Sequence, residues 1–155
     1  MEVSRGCVYL YEFTNYDQFT ADIELLMDIN HEFDFTLLSR LPTRRLIEKL
    51  DLSKVSNYWV TDKKSTNSIR PDIAEISRLI TADKTELNCF FILDGLELIA
   101  TETDLDELIR ALSSLFDQIK NQGIVLAICI DTLAFDSEWI VKLQYLTEKL
   151  VLHPL

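Results

Sequence analysis

The sequence predicts an α/β fold: a three-layer, doubly wound domain with a mainly parallel sheet of five to six strands. Two observations carry this. Strand-like and helix-like hydrophobic periods alternate from one end of the chain to the other. Two of the strand-like runs, Cys89 to Leu93 (CFFIL) and Ile124 to Ile130 (IVLAICI), are continuously apolar, the pattern of strands covered on both faces by helices. The 155 residues suit a single domain spanning residues 1–155. With 48% apolar residues and only three Gly and three Pro, the chain can bury a core and holds no long flexible linker.

Taken in order, Cys7 to Phe13 reads as the first strand, and Tyr16 to Ile29 as a helix with Phe19, Ile23, Leu26 and Met27 on one face. Phe33 to Ser39 is the second strand. Pro42 then occupies the first turn of a helix that carries Leu46, Ile47 and Leu50 inward. Asn57 to Thr61 is a short third strand, followed by a polar loop from Asp62 to Ser68. Ser68 and Pro71-Asp72 are start signals for a helix bearing Ile73, Ile76, Leu79 and Ile80. After the fourth strand, CFFIL, Asp104 and Glu107 have capping-box spacing, and Leu105, Leu108, Ile109, Leu112, Leu115, Phe116 and Ile119 form a buried stripe. Gly123 stops that helix, and Ile124 to Ile130 is the fifth strand. Asp136 caps a last helix with Trp139, Ile140, Leu143 and Leu146, and Lys149 to His153 has the character of a short edge strand.

The net charge of −11 works against nucleic acid and anionic membranes. The N-terminus has no basic segment leading into an apolar one, and the longest clean apolar run is far short of the roughly 20 residues of a membrane span. The expectation is a cytoplasmic protein without membrane insertion. Cys7, Cys89 and Cys129 lie in or beside strand-like runs, an odd and widely spaced set that reads as buried thiols in a reducing compartment.

In open parallel sheets ligands bind outside the carboxyl ends of the strands. Here those ends carry Thr14, Ser39-Arg40, Thr61-Asp62, Asp94-Gly95 and Asp131-Thr132. The candidate ligand- or partner-binding residues are Ser39, Arg40, Arg44, Arg45, Asp94, Gly95, Glu97 and Asp131. Arg40, Arg44 and Arg45 surround a helix start, where free N–H groups already favour anions. One reading is a site for a carboxylate, a phosphate or an acidic partner tail. The other is internal pairing of Arg40 with Asp94 or Asp62, with Arg44 and Arg45 solvated.

Three signatures follow one another: Ser39-Arg40-Leu41-Pro42, then Trp59-Val60, then FFILDGLELI with Asp94, Gly95 and Glu97. In this order and spacing they resemble the archaeal domain-of-unknown-function family 835, whose members usually read SR-x-P, W-L and L-D-G-x-E-Y-L. The resemblance runs over residues 5 to 148, and Asp-Gly-x-Glu is its most specific part. Val60 stands where Leu is common, and Leu98 where Tyr is common. That family is in turn similar to the RecA-type ATPases close to the clock protein KaiC. The resemblance implies a RecA/KaiC-like sheet with Asp94 at the place of the metal-associated aspartate. It implies no established activity, and members joined to sensory domains suggest signalling or interaction.

A phosphate-binding loop needs G-x-x-x-x-G-K-[ST] after the first strand, so that bare backbone and a lysine meet the phosphates. The segment from Thr14 to Thr20 holds neither Gly nor Lys, and it places Tyr16, Asp17 and Phe19 there instead. His31 and His153 stand apart from any cysteine, and the G-x-S-x-G and H-E-x-x-H motifs are absent. The expectation is a non-catalytic module without cofactor or metal. It docks to another protein, an ATPase or a sensory component, and forms homo- or hetero-oligomers. The alternative is a sensor that binds a small anionic ligand or nucleotide at the strand ends without hydrolysis.

Overall fold

The computed structural model describes residues 3–82, 88–101 and 103–150. Among these residues seven strands form one sheet: β1 Val8–Phe13, β2 Asp34–Ser39, β3 Val55–Val60, β4 Ser68–Ile69, β5 Cys89–Asp94, β6 Val125–Asp131 and β7 Glu148–Lys149. Their order is β4-β3-β2-β5-β6-β1-β7, and every pairing is parallel. Among the described residues six α-helices and a 3-10 turn at Leu52–Lys54 connect them: α1 Tyr16–Ile29, α2 Thr43–Leu46, α3 Ile73–Thr81, α4 Leu96–Ala100, α5 Leu105–Gln122 and α6 Ser137–Leu146.

The strand order explains the three layers. From β1 to β4 the chain moves one way across the sheet, and from β4 to β7 it moves back. Right-handed crossovers therefore place the helices of the two halves on opposite faces. Phe19, Ile23, Leu26 and Met27 of α1 and Leu46 of α2 pack on Tyr9, Tyr11, Phe13, Leu37, Phe90 and Ile92. Ile76, Ile80, Leu108, Leu112, Leu115, Ile119 and Leu143 cover the other face, on Leu10, Leu38, Phe91, Leu93, Leu126, Ile128 and Ile130. Alternate residues of β5 and β6 thus enter different layers, which is why CFFIL and IVLAICI have no polar side. Each fully buried Leu, Ile or Phe contributes about 1.5–3 kcal/mol.

Local signals account for the helix ends. The Asn15 side chain accepts from Gln18 N at 2.8 Å and opens α1. Asp72 does the same for α3 through Ala74 N at 2.9 Å. Gly123 closes α5 at φ 70°, in the left-handed region open to glycine.

Several expectations need correction. Among the described residues the sheet has seven strands because β4, Ser68–Ile69, forms where the sequence reads the end of a polar loop and a helix start. Trp59 N donates to Asn67 O and Thr61 N to Ile69 O, and a two-residue strand is too short to show a period. The helix after Pro42 is a single turn, so Leu46 and Leu50 point inward while Ile47 is 63% exposed. Asp104 and Asp136 stand at the starts of α5 and α6, but neither side chain makes a capping hydrogen bond. Leu146 lies on the outer side of α6, not in its buried stripe. Of the predicted edge strand, β7 includes Lys149, while 151–153 lie outside the described residues. Cys129 is fully buried, but Cys7 and Cys89 are only half-buried. Among the described residues no helix is long and apolar enough to cross a membrane.

Candidate functional site

β2 leads away toward β3 and β5 leads away toward β6, so the two connections part above the β2/β5 pair. That parting is where open α/β sheets form their crevice. Ser39-Arg40 ends β2 and Asp94-Gly95 ends β5, so the fold brings these four residues together. Tyr16 reaches the same place from the first turn of α1, and Glu97 from α4.

Asp94 is the centre of the arrangement and is fully buried. The Ser39 hydroxyl donates to its Oδ2 at 2.7 Å, and the Tyr16 hydroxyl lies 3.1 Å and 3.3 Å from its two oxygens. Tyr16 in turn accepts from Arg40 Nε, and the Arg40 guanidinium lies 4.9 Å from the centre of the Tyr16 ring. The same Nε is 3.2 Å from Glu97 Oε1. The ends are tied down from behind: Leu41 N donates to Ser39 Oγ at 3.1 Å, and Trp59 Nε1 to the Arg40 carbonyl at 3.1 Å. Polar side chains thus converge on a strand end, where Ser39, Tyr16 and Arg40 form a chain of hydrogen bonds to Asp94.

Burial pushes the Asp94 carboxyl up to about 7, helped by the like charge of Glu97; the Ser39 and Tyr16 hydrogen bonds and Arg40 oppose this without cancelling it. Burial, then the Asp94 charge, raises Tyr16 above its ordinary value. Burial also raises Glu97, against the pull of Arg40. Both Glu97 oxygens are shielded from water and lack a hydrogen bond, although Oε1 lies within ion-pair distance of Arg40. The two facts agree if the contact is one of charge without hydrogen-bond alignment. Beside Glu97 a cleft of about 170 Å³ is lined by Thr101, Phe135, Asp136 and Trp139. Among the described residues no group of three His, Cys, Asp or Glu is placed to hold a metal ion.

Gly95 is required by geometry. Its φ is 120°, and an added Cβ would meet the Arg40 Cβ at 3.4 Å. Gly95→Ala is expected to cost about 1–3 kcal/mol, mostly from backbone strain. Urea unfolding checks it, and a change within experimental error would show that the turn relaxes freely.

The remaining candidates fall elsewhere. Asp131 Oδ1 accepts from Leu133 N at 2.9 Å and shapes the turn after β6, while its charge reaches Glu97. Arg44 and Arg45 project from α2 into solvent, and the arginine cluster is split. Arg40 pairs with Glu97 and Tyr16; Asp94 is reached through Tyr16, and Asp62 is exposed and takes no part. Tyr16 stands out in the sequence only as bulk where a phosphate loop needs bare backbone, and it is the member of the cluster that the candidate residues leave out. Its one signal for a place there is an aromatic hydroxyl directly after a helix cap at a strand end.

The fold and this self-contained polar cluster define a class: a three-layer α/β domain with an all-parallel sheet and a buried aspartate at its crevice. The family described as "Protein of unknown function (DUF835)" matches residues 17–145, and the chain belongs to that family. The chain is also similar to a solved structure from Pyrococcus horikoshii OT3, structural project PH0250. That match has a TM-score of 0.62 at 12% identity and covers 94% of this chain and 80% of the other. At such identity the likeness is one of fold. A comparison with curated proteins found no match.

Proposed function

We propose that the chain is a non-catalytic interaction module of the cytoplasm, built on a degenerate RecA/KaiC-like sheet, that docks to another protein, an ATPase or a sensory component. One observation carries the reading. The crevice where such a sheet takes its ligand is filled by the protein's own Tyr16, Arg40 and Glu97 around Asp94. The cation that would meet a phosphate is already engaged, and the aromatic ring beneath it occupies the space. Arg44 and Arg45 remain exposed on α2 beside Ile47, and they suit an acidic, partly apolar partner surface.

The test is a thermal-shift and turnover series with ATP, ADP and inorganic phosphate in the presence of Mg²⁺. A ligand at about 100 times its dissociation constant stabilises by about 2.7 kcal/mol, several degrees for a chain of this size. The expected result is no turnover and a shift below about 1 °C at millimolar ligand. A shift of several degrees that disappears in Arg40→Ala would overturn the docking reading in favour of an anion sensor. Affinity capture followed by mass spectrometry tests the partner directly. A partner retained by the native chain and lost with Arg44→Glu/Arg45→Glu supports the reading.

A further inference from the structure

We infer that the outer face of α6 is a self-association surface, and that its occupant is the same face of a second copy of this chain. The observation begins with the helix itself. Every exposed position of α5 is polar: Asp106, Glu107, Arg110, Ser114, Asp117, Gln118, Lys120, Asn121 and Gln122. α6 has the same task of covering the sheet, yet half of its exposed positions are apolar. Val141 is 52% exposed, Tyr145 88% and Leu146 38%, and Leu143 alone is fully buried against the sheet. A helix that is apolar on both sides is one that is covered on both sides.

Charge on this face selects the occupant. At helical spacing Glu138, Val141, Lys142 and Tyr145 share the outward side of α6. Glu138 and Lys142 lie 3.9 Å apart, one turn from each other. Two copies packed antiparallel across a two-fold axis near Val141 bring Val141 against its mate and lay Tyr145 over the first turn of the other helix. The same operation sets Glu138 of each copy opposite Lys142 of the other, so opposite charges meet twice. The patch on α2 fails this test. A two-fold there would place Arg44 and Arg45 against themselves, which is why that patch suits a different protein and α6 suits a second copy.

Area sets the strength. A ten-residue helix is about 15 Å long, and its face alone falls short of the roughly 800 Å² per partner of a standard interface. The groove of about 450 Å³ that Tyr145 and Leu146 share with Phe116 and Lys120 widens the contact. The association is of the weak class, with a dissociation constant in the micromolar range.

Sedimentation equilibrium of the full chain over about 1–100 μM is the experiment, with hydroxyl-radical footprinting of Tyr145 over the same range. The expected mass rises from one chain to two, and Tyr145 becomes protected in step. Val141→Glu abolishes both, and Val141→Glu/Tyr145→Glu abolishes the rise in mass, each leaving the melting temperature unchanged because both positions are exposed. Glu138→Lys weakens association about tenfold, and Glu138→Lys/Lys142→Glu restores it to within about threefold. A single-chain mass throughout, a dimer indifferent to Val141 and Tyr145, or protection of Tyr145 that does not depend on concentration would each overturn the inference. The last result would mean that the chain covers α6 by itself.

Discussion

As pH rises from about 4 to about 8, the stability difference between Asp94→Asn and the native chain is expected to move in the variant's favour by on the order of 4 kcal/mol. The sign follows from the buried carboxyl. Asp94 stands near 7 in the fold, against 3.8 for the ordinary group. Below 3.8 it is neutral in both states, and its burial carries no charge penalty. Between the two values the unfolded chain ionises while the folded one keeps its proton. The unfolded state then binds fewer protons, so native stability falls through this window and levels off above the folded value. Asparagine does not titrate, so the variant lacks that fall. Urea unfolding of both proteins at intervals across the window measures the difference. Parallel curves would show that Asp94 ionises as easily inside the protein as outside it.

Arg40→Ala is expected to be the most damaging single change at the crevice near neutral pH, with a loss of about 2–3 kcal/mol. Removing one member of a fully buried ion pair costs about 3–5 kcal/mol. The Arg40 side chain is 33% exposed, and solvent screening reduces that figure. Glu97 has no such relief. Its side chain is 13% exposed, and its oxygens have no hydrogen bond to fall back on. Tyr16 also loses the donor that aligns its hydroxyl toward Asp94. In the double variant Arg40→Ala/Glu97→Gln the uncompensated charge is gone, and at least half of the loss is expected to return. A double-mutant cycle by urea unfolding reads this as a coupling of about 1 kcal/mol or more. Additive effects would mean that Arg40 and Glu97 meet only as neighbours.

Both predictions concern groups whose importance is partly legible in the residue order. Asp94, Gly95 and Glu97 stand out because a polar D-G-x-E follows a wholly apolar run, and such a run must end at the rim of a buried sheet. Ser39 and Arg40 stand out because they end the alternating strand run FDFTLL just before Pro42. Tyr16 does not, because an aromatic residue at the start of an amphipathic helix is ordinary core material. Only its position above Asp94 turns its hydroxyl into part of the network.

Hydrophobic periodicity alone specifies the longer strands and helices, the α/β layering and the residues that reach the strand ends, because burial is decided by side-chain chemistry at local spacing. Helix starts were less legible: Asn15 and Asp72 accept capping bonds, while Asp104 and Asp136 make none, since the cap depends on a rotamer that the neighbouring loop selects. The strand order β4-β3-β2-β5-β6-β1-β7 was beyond local reading altogether. Periods order strands along the chain, whereas lateral order depends on contacts between distant segments. That order makes Ser39 and Asp94 neighbours, pairs Arg40 with Glu97, and leaves Arg44 and Arg45 facing solvent.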